Sequence, residues 1–246
     1  MDKLLYVSMT GAAETQRAQA IQSNNLANVA TTGFRSEYSQ ARAMPVYGDG
    51  YASRVYAMTE SPGVKYAAGT ISQTGNDTDV AVNGNGWFVV QDASGKEAYT
   101  RSGEFNVDAQ GVMRTRDGLA VVGNGGAVTL PPYEKVEIGS DGTVSVRGLG
   151  QGAESLTVAD RIKLVNPNVD KLTRGEDGLY RMSDGSQAPV DGTVKVVTGA
   201  VEGSNVNAVE ALTQIISLSR QFEMQIKLMH QAQQNDESSA RVMQMN

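Results

Sequence analysis

Asp77 and Asp79 form the pair of residues in this sequence with the clearest potential for acid–base chemistry. Two carboxylates are the usual machinery of glycan cleavage, and Glu104 is a third candidate for the same role. Aspartates placed just before a strand, however, usually close turns through hydrogen bonds to nearby main-chain groups. No motif pairs two carboxylates convincingly. The sequence therefore favours turn formation at this pair and a protein that is not an enzyme.

The other reactive residue types stand apart from one another. His230 is the sole histidine and has no Ser, Cys or carboxylate partner at a suggestive spacing, which favours a place on a helix surface. The run Asn83–Gly86 lacks the third glycine and the following helix of a dinucleotide loop, so a tight turn is the better interpretation. Trp87 favours a core position, although an exposed Trp87 would suit a sugar-binding adhesin. The sequence thus predicts no catalytic, cofactor-binding or metal-binding residue.

Three carboxamides lie close together at Asn24, Asn25 and Asn28. Asparagine is unfavourable inside a helix, yet Asn24 and Asn28 are separated by one helical turn and share a face. A carboxamide both donates and accepts hydrogen bonds, so such a pair could satisfy polar groups of a neighbouring helix. A helix that simply ends in a turn explains the same residues equally well, and the sequence leaves both interpretations open.

Both ends of the chain carry the periodicity of amphipathic helices. A helix is predicted from Asp2 to Asn28, with Asp2 as its cap. A second is predicted from Asn207 to Met245, where Asn207 and Glu210 resemble a capping box. The apolar stripe of the second helix contains Val209, Leu212, Ile216, Ser219, Phe222, Ile226 and Met229. Because isolated helices are marginal in water, we expect the two helices to pack on each other and on copies of the chain.

The region between the helices is typical of antiparallel β structure. From Asp79 to Thr198, apolar runs alternate with Asp-Gly turns, which is a strong hairpin signal. The predicted strands contain Val80–Val82, Trp87–Val90, Phe105–Val107, Val112–Arg114, Leu119–Val122, Val136–Ile138, Val144–Val146, Ile162–Val165, Leu179–Met182 and Val194–Val197. Residues 36–75 lack clear periodicity and are interpreted as an extended connector with room for one hairpin.

These elements predict an α+β fold. The N- and C-terminal helices are expected to pair as a coiled-coil-like bundle, and a central antiparallel β-rich domain lies between them in sequence. The predicted boundaries are 1–33 for the N-terminal helix, 34–75 for the connector, 76–200 for the β-rich domain and 201–246 for the C-terminal helix.

The composition limits the class of protein. The 246 residues include 40% hydrophobic and 20% charged side chains, as in a globular chain of one large or two smaller domains. A formal net charge of −6 argues against a nucleic-acid surface. The absence of cysteine excludes disulfides and thiolate metal sites. No apolar run is long enough for a membrane span, and the short apolar start does not resemble a cleaved signal peptide.

Three motifs, in order along the chain, resemble the bacterial flagellar rod and hook proteins. Ser23–Arg35 is similar to the N-terminal signature of that family. Gly69–Asn76 and Asp79–Phe88 are similar to the opening of its middle domain. Glu202–Asn207 and Arg220–Met224 are similar to its C-terminal signature. The three matches span the whole chain and make the resemblance specific.

The resemblance implies a structural subunit of the flagellar basal body. Members of the family leave the cell through the flagellar type III export apparatus without a cleaved signal and assemble in the periplasm into a helical tube that transmits torque. Their terminal helices form the inner layer and the β domain forms the outer layer. The short chain, the Met-Asp start and Trp87 are most similar to a proximal rod subunit, and the distal rod is the nearest alternative. A periplasmic glycan-binding or glycan-cleaving protein is the less favoured reading.

The implied partners are copies of the chain, other rod subunits and the export apparatus, with neither nucleic acid nor membrane insertion. The carboxamides and both helical stripes then become contacts between subunits. The predicted assembly interface comprises Leu4, Val7, Ala18, Ile21, Asn24, Asn25, Leu26, Asn28, Gly33, Phe34, Ser204, Asn205, Asn207, Val209, Leu212, Ile216, Phe222, Ile226 and Met229.

Overall fold

The computed structural model describes residues 4–45, 55–150 and 155–244, which divide into two compact units. The helical unit is drawn from Met1–Val29, Arg35–Lys65 and Val206–Asn246. The β unit is drawn from Ala30–Phe34 and Tyr66–Asn205. Each unit is therefore assembled from stretches that are far apart in the sequence. The predicted cap Asp2 lies outside the described residues.

Two long helices, α1 (Leu4–Ala27) and α2 (Ala208–Gln244), pack against each other in the helical unit. This confirms the predicted pairing of the terminal helices. On α2 the less exposed positions recur at alternating steps of four and three, the spacing of paired helices. The series comprises Ala211, Ile215, Leu218, Phe222, Gln225, Met229 and Ala232, and the half-buried Ala208, Gln214, Ser219 and Ile226 lie beside it. On α1, Gly11 lies so close to Gln225 that an added Cβ would be 3.1 Å from the amide nitrogen of that side chain.

The ends of the helices are closed by asparagines. The side-chain oxygen of Asn207 accepts hydrogen bonds from the main-chain N–H groups of Val209 at 3.0 Å and Glu210 at 3.3 Å, as an N-cap does. The carboxylate of Glu210 accepts instead from Gln214 at 3.2 Å. At the end of α1, the side chain of Asn28 donates to the carbonyl oxygen of Asn24 at 2.9 Å.

A hairpin of two long strands, β1 (Glu37–Pro45) and β2 (Val55–Val64), completes the helical unit. The strands pair antiparallel and both contact α1. The main-chain N–H of Lys65 donates to the carbonyl oxygen of Ser36 at 2.8 Å and closes the open end of the pair. The hairpin falls within residues 36–75, where the sequence left room for one.

The β unit consists of short antiparallel strands, as the Asp-Gly turns predict. They are β3 (Ile71–Gln73), β4 (Val80–Asn83), β5 (Trp87–Gln91), β6 (Glu97–Thr100), β7 (Phe105–Val107), β8 (Met113–Thr115), β9 (Ala120–Gly123), β10 (Gly126–Ala127), β11 (Tyr133–Ile138), β12 (Thr143–Gly148), β13 (Thr157–Arg161), β14 (Leu164–Val165), β15 (Leu172–Arg174), β16 (Tyr180–Met182), β17 (Lys195–Thr198) and β18 (Ala200–Glu202). A short 3-10 helix at Val169–Lys171 precedes β15.

The largest sheet has the strand order β15-β16-β6-β5-β9-β8-β7, with β10 paired to β9 and β14 paired to β5. A second sheet has the order β11-β12-β13, and two further pairs join β17 to β4 and β18 to β3. The core between these strands is rich in valine and contains an edge-to-face pair of Phe88 and Phe105 with ring centroids 5.2 Å apart. No helix in the described part of the chain is long and apolar enough to cross a membrane.

Candidate functional site

Asp79 is a structural residue of the turn before β4. Its side chain is buried and accepts hydrogen bonds from the hydroxyl of Thr74 at 2.6 Å and the amide of Asn76 at 3.3 Å. Asp77 is exposed beside it. Asp79 thus closes a turn, as the sequence favours, and its oxygens are engaged with that turn.

Trp87 is a core residue. Its indole is only 3% exposed and lies with its centroid 4.6 Å from the ring of Tyr180 and 6.2 Å from that of Tyr66. The guanidinium carbon of Arg101 lies 5.4 Å from the same ring. The indole face is therefore covered by protein and offers no open platform for a sugar. His230 lies exposed on α2, as expected.

A buried ion pair joins Arg101, just after β6, to Glu202 at the end of β18. Nη1 of Arg101 lies 2.9 Å from Oε2 of Glu202, and the two side chains are only 4% and 1% exposed. The second guanidinium nitrogen donates to the carbonyl oxygen of Gly84 at 2.7 Å. The other carboxylate oxygen accepts from the main-chain N–H of Gly69 at 2.8 Å. Charges are costly to bury unless they are paired and hydrogen-bonded, and here the partners come from distant segments.

The main chains of the same two residues enclose Gly33. The N–H of Gly33 donates to the carbonyl oxygen of Glu202 at 2.7 Å. A Cβ added to Gly33 would overlap main-chain atoms of Arg101 and Ser102, and its φ of 69° is a conformation that side chains disfavour. The hydroxyl groups of Thr32 and Ser102 lie 3.3 Å apart. Only glycine fits this position.

The residues after Gly33 are held by the segment that follows β18. The main-chain N–H of Asn205 donates to the carbonyl oxygen of Phe34 at 3.3 Å. The side chain of Asn205 donates to the carbonyl oxygen of Ala67 at 2.9 Å. The guanidinium of Arg174 covers the buried ring of Phe34, 4.8 Å from its centroid.

All three sequence signatures therefore meet at one place in the β unit. We call this place the junction cluster and define it as Gly33, Gly69, Gly84, Arg101 and Glu202. Sequence reasoning identified the signature glycines but missed the ion pair, because its partners are 101 positions apart and follow no local pattern. The signal that could have indicated the cluster was the presence of signature glycines in all three motifs.

Asn25 makes its contacts inside the helical unit. Its side-chain amide donates to the carbonyl oxygen of Glu37 at 2.8 Å, and its side-chain oxygen accepts from the N–H of Glu37 at 2.9 Å. The residue is only 3% exposed. Asn25 therefore fixes the start of β1 to the end of α1, whereas Asn24 remains exposed.

The residues predicted to form the assembly interface differ widely in exposure. Val209, Leu212 and Ile216 are 70%, 47% and 53% exposed, and Asn24 and Asn207 are also exposed. The half-buried members are Val7, Ala18, Ile21, Leu26, Asn28, Ser204, Asn205, Phe222, Ile226 and Met229, and the buried members are Asn25, Gly33 and Phe34. The side chain of Leu4 lies outside the described part of the chain. The structure thus divides the predicted stripe of α2 into an exposed first part and a half-buried second part.

Three family models match the chain in order. The model described as flagella basal body rod protein matches residues 5–35. The model of the D1 domain of the flagellar hook protein FlgE/F/G matches residues 81–146. The C-terminal model of the flagellar basal body rod FlgEFG protein matches residues 197–242. The matches cover α1, part of the β unit and most of α2.

Full-length relatives agree with these models. The chain is 35% identical over 252 residues to the flagellar basal-body rod protein FlgF of Salmonella typhimurium, covering 100% of both chains. It is 38% identical over 241 residues to FlgF of Escherichia coli, covering 96% of each chain. It is 32% identical over 259 residues to the flagellar basal-body rod protein FlgG of Buchnera aphidicola subsp. Schizaphis graminum, covering 94% of this chain and 95% of that one. The chain belongs to the flagellar basal-body rod protein family, in which it is FlgF-like.

Proposed function

We propose that this chain is a structural subunit of the proximal part of the flagellar basal-body rod. It polymerises through its terminal helices with copies of itself and with other rod subunits into a tube that transmits torque. The names of the full-length relatives support the rod assignment. The chain reaches the periplasm through the flagellar export apparatus, and the absence of cysteine is compatible with passage as an extended chain.

The observation that carries this proposal is a second apolar face on α2. Five exposed residues form it, namely Val209, Leu212, Ile216, Met224 and Leu228. At 100° per residue these positions lie on the side of α2 opposite the seam that packs on α1. α1 likewise leaves Leu5, Tyr6 and Met9 exposed. The exposed charged residues Arg220 and Lys227 share this side of α2 farther along, so the apolar character is concentrated in the first turns of the helix. Clustered exposed apolar residues of this kind are typical of a surface that contacts another protein.

Burial of this second face would favour association. Each Leu or Ile that becomes fully buried contributes about 1.5–3 kcal/mol, and a helical tube repeats the contact at every subunit. Within the predicted interface, we therefore assign the contacts between subunits to the exposed residues Val209, Leu212 and Ile216. The buried members Asn25, Gly33 and Phe34 are assigned instead to stabilising the fold of the single subunit.

The direct test replaces an apolar residue of the second face by a charged one. Ile216→Glu is expected to abolish incorporation into basal bodies while α1 and α2 remain paired, because residue 216 lies away from their seam. Gln221→Glu is the matched control, since Gln221 is exposed and lies 140° around the helix from residue 216, outside the arc from Leu212 to Leu228. Incorporation is measured in basal bodies isolated from a strain that lacks its own FlgF, together with swimming and helical circular dichroism. Normal incorporation of Ile216→Glu would refute the proposed interface.

Distal rod assembly is the second candidate, and the similarity to FlgG relatives favours keeping it. Complementation of strains that lack FlgF or FlgG distinguishes a proximal rod subunit from a distal one. A proximal subunit is expected to restore swimming to a strain lacking FlgF and to leave a strain lacking FlgG immotile. The reverse result would assign the chain to the distal rod.

A further inference from the structure

Arg101 and Glu202 contribute both their side chains and their main chains to the junction cluster. Their side chains form the buried ion pair, and their main chains enclose Gly33 from two sides. The side-chain pair thus joins the same two main chains that border the space for Gly33. The segment Thr31–Phe34 has no strand pairing of its own in the described structure.

We propose that the Arg101–Glu202 ion pair is a clamp that holds Thr31–Phe34 on the β unit. Arg101 acts through Glu202 and is thus a positioning residue. The clamp determines where the chain that follows α1 is attached to the β sheet. The claim that the clamp matters for assembly rests on the rod function proposed above. The claim that the ion pair holds this segment does not depend on that function.

The electrostatics of the ion pair explain why the segments that it joins can become ordered in one step. The guanidinium and the carboxylate are almost fully buried, and each also binds a main-chain group, at Gly84 and Gly69. Burial of either charge alone is strongly unfavourable. The three segments around residues 33, 101 and 202 are therefore expected to become ordered together.

The chain contains its own reporter of the clamp. Trp87 is the only tryptophan, and its ring lies 5.4 Å from the guanidinium carbon of Arg101. Its emission reports on the packing of the β unit around the ion pair. The N–H of Gly33, which donates to Glu202, reports separately on the clamped segment through its rate of hydrogen exchange.

The test compares the full-length wild type with Arg101→Met and with Arg101→Met/Glu202→Gln. The single substitution leaves a buried carboxylate without this cation, and we expect the folding equilibrium constant to fall by a factor on the order of 10²–10³. The double variant removes both charges, and a glutamine oxygen can still accept from Gly69. Its folding constant, measured by urea titration of Trp87 emission, is expected to return to within about tenfold of wild type.

The decisive readout is hydrogen exchange at Gly33 in the double variant. If the ion pair is a clamp, exchange at Gly33 is expected to be at least about tenfold faster than in the wild type despite restored stability, which corresponds to the loss of one hydrogen bond. A purely structural pair would regain protection at Gly33 together with stability. Wild-type protection at Gly33 in the folded double variant overturns the proposal, as does an Arg101→Met chain of unchanged stability.

A pair of glycine substitutions provides the matched control. Gly33→Ala places a methyl group against the main chain of Arg101 and Ser102, and is expected to release the segment while the ion pair persists. Gly118→Ala imposes a similar backbone penalty, since its φ is 83°, but nothing lies within 4 Å of the new carbon. It should leave exchange at Gly33 unchanged. Faster exchange in Gly118→Ala to the same extent would overturn the assignment.

Incorporation into basal bodies separates this inference from the proposed function. We expect the double variant and Gly33→Ala to incorporate poorly and Gly118→Ala to incorporate like wild type. If the wild type itself does not incorporate, the rod function fails while the exchange data still decide the clamp. If the double variant shows faster exchange and incorporates normally, the clamp is upheld and its role in assembly is refuted.

Discussion

The contribution of a polar residue to the stability of this protein depends on how deeply its side chain is buried. Asn25 and Glu202 are almost fully buried, and both bind main-chain groups that are distant in sequence. Nζ of Lys135 also lies only 2.8 Å from Oε1 of Glu137, but both of these side chains are 46% exposed. Exposed ion pairs contribute little to stability because water and salt screen them. The buried residues are therefore those whose substitution should matter.

Substitution of neighbouring asparagines tests this difference at the end of α1. Asn25→Ala removes both hydrogen bonds to Glu37 from a buried site, and the free energy of unfolding of the helical unit is expected to fall by about 1–3 kcal/mol. Asn24→Ala alters an exposed side chain and should change the free energy by less than about 0.5 kcal/mol. Urea titrations followed by helical circular dichroism measure both. Equal losses would contradict the role assigned to Asn25.

Arg181 makes the stability of the β unit depend on pH in the acidic range. The hydroxyl of Ser94, followed by the guanidinium of Arg181, holds the pKa of Asp92 well below its usual range. Arg181 is also the main cause of the lowered pKa of Asp177. A carboxyl group whose pKa is lower in the folded state stabilises the fold above its unfolded pKa of about 3.9 and loses that contribution as the pH falls further.

Arg181→Met is therefore expected to lower the urea midpoint of the β unit at pH 7. The difference from wild type should shrink as the pH falls from about 4 towards 2, because protonated carboxyl groups no longer benefit from the cation. Arg116→Met is the control, since Arg116 is 74% exposed and pairs with Glu104 at 3.4 Å. A difference that stays constant down to pH 2 would show that Arg181 acts through packing instead of charge.

At the scale of elements, periodicity predicted the helices well and the polar strands poorly. α1 and α2 begin and end within a few residues of the predicted limits. The strand β6 was not predicted because Glu97–Thr100 has a single strongly apolar member, Tyr99, and β13 was missed because Thr157–Arg161 ends in charged residues. Such strands form because neighbouring strands supply their hydrogen bonds. Periodicity also cannot tell which of two apolar faces of α2 meets α1.

Packing of α1 on α2 leads to a prediction for Gly11. An added Cβ would approach only the end of the Gln225 side chain, at 3.1–3.3 Å, and that side chain can rotate away. Gly11→Ala is therefore expected to stabilise the helical unit by up to about 1 kcal/mol, through the higher helix propensity of alanine. Thermal unfolding followed at a helical wavelength measures the effect. Gly11→Leu, which cannot be accommodated by the same rotation, should lower the transition temperature.

At the scale of the whole molecule, the sequence predicted the fold class and the order of the elements but not the junction cluster. The helix periods and the Asp-Gly turns are local signals, and they were sufficient for an α+β fold with antiparallel strands. Arg101 and Glu202 carry no local signal, because a buried ion pair is defined only once the chain has folded. The proposed interface between subunits likewise depends on which apolar residues remain exposed after the helices have paired.

Removal of α2 should leave the β unit folded. A chain that ends at Asn207 retains the contacts of Glu202 and Asn205 within the β unit. We expect its Trp87 emission and cooperative urea transition to persist, while its helical circular dichroism falls and incorporation into basal bodies is lost. Loss of the Trp87 transition would show that the β unit requires α2, and normal incorporation would refute assembly through the helices.

The sequence separation of α1 and α2 has a consequence for biosynthesis. The ribosome makes α1 well before α2, and the strands of the β unit are made between them. The seam between the two helices therefore cannot close until α2 has also been synthesised. Until then, the side of α1 that packs on α2 has no intramolecular partner.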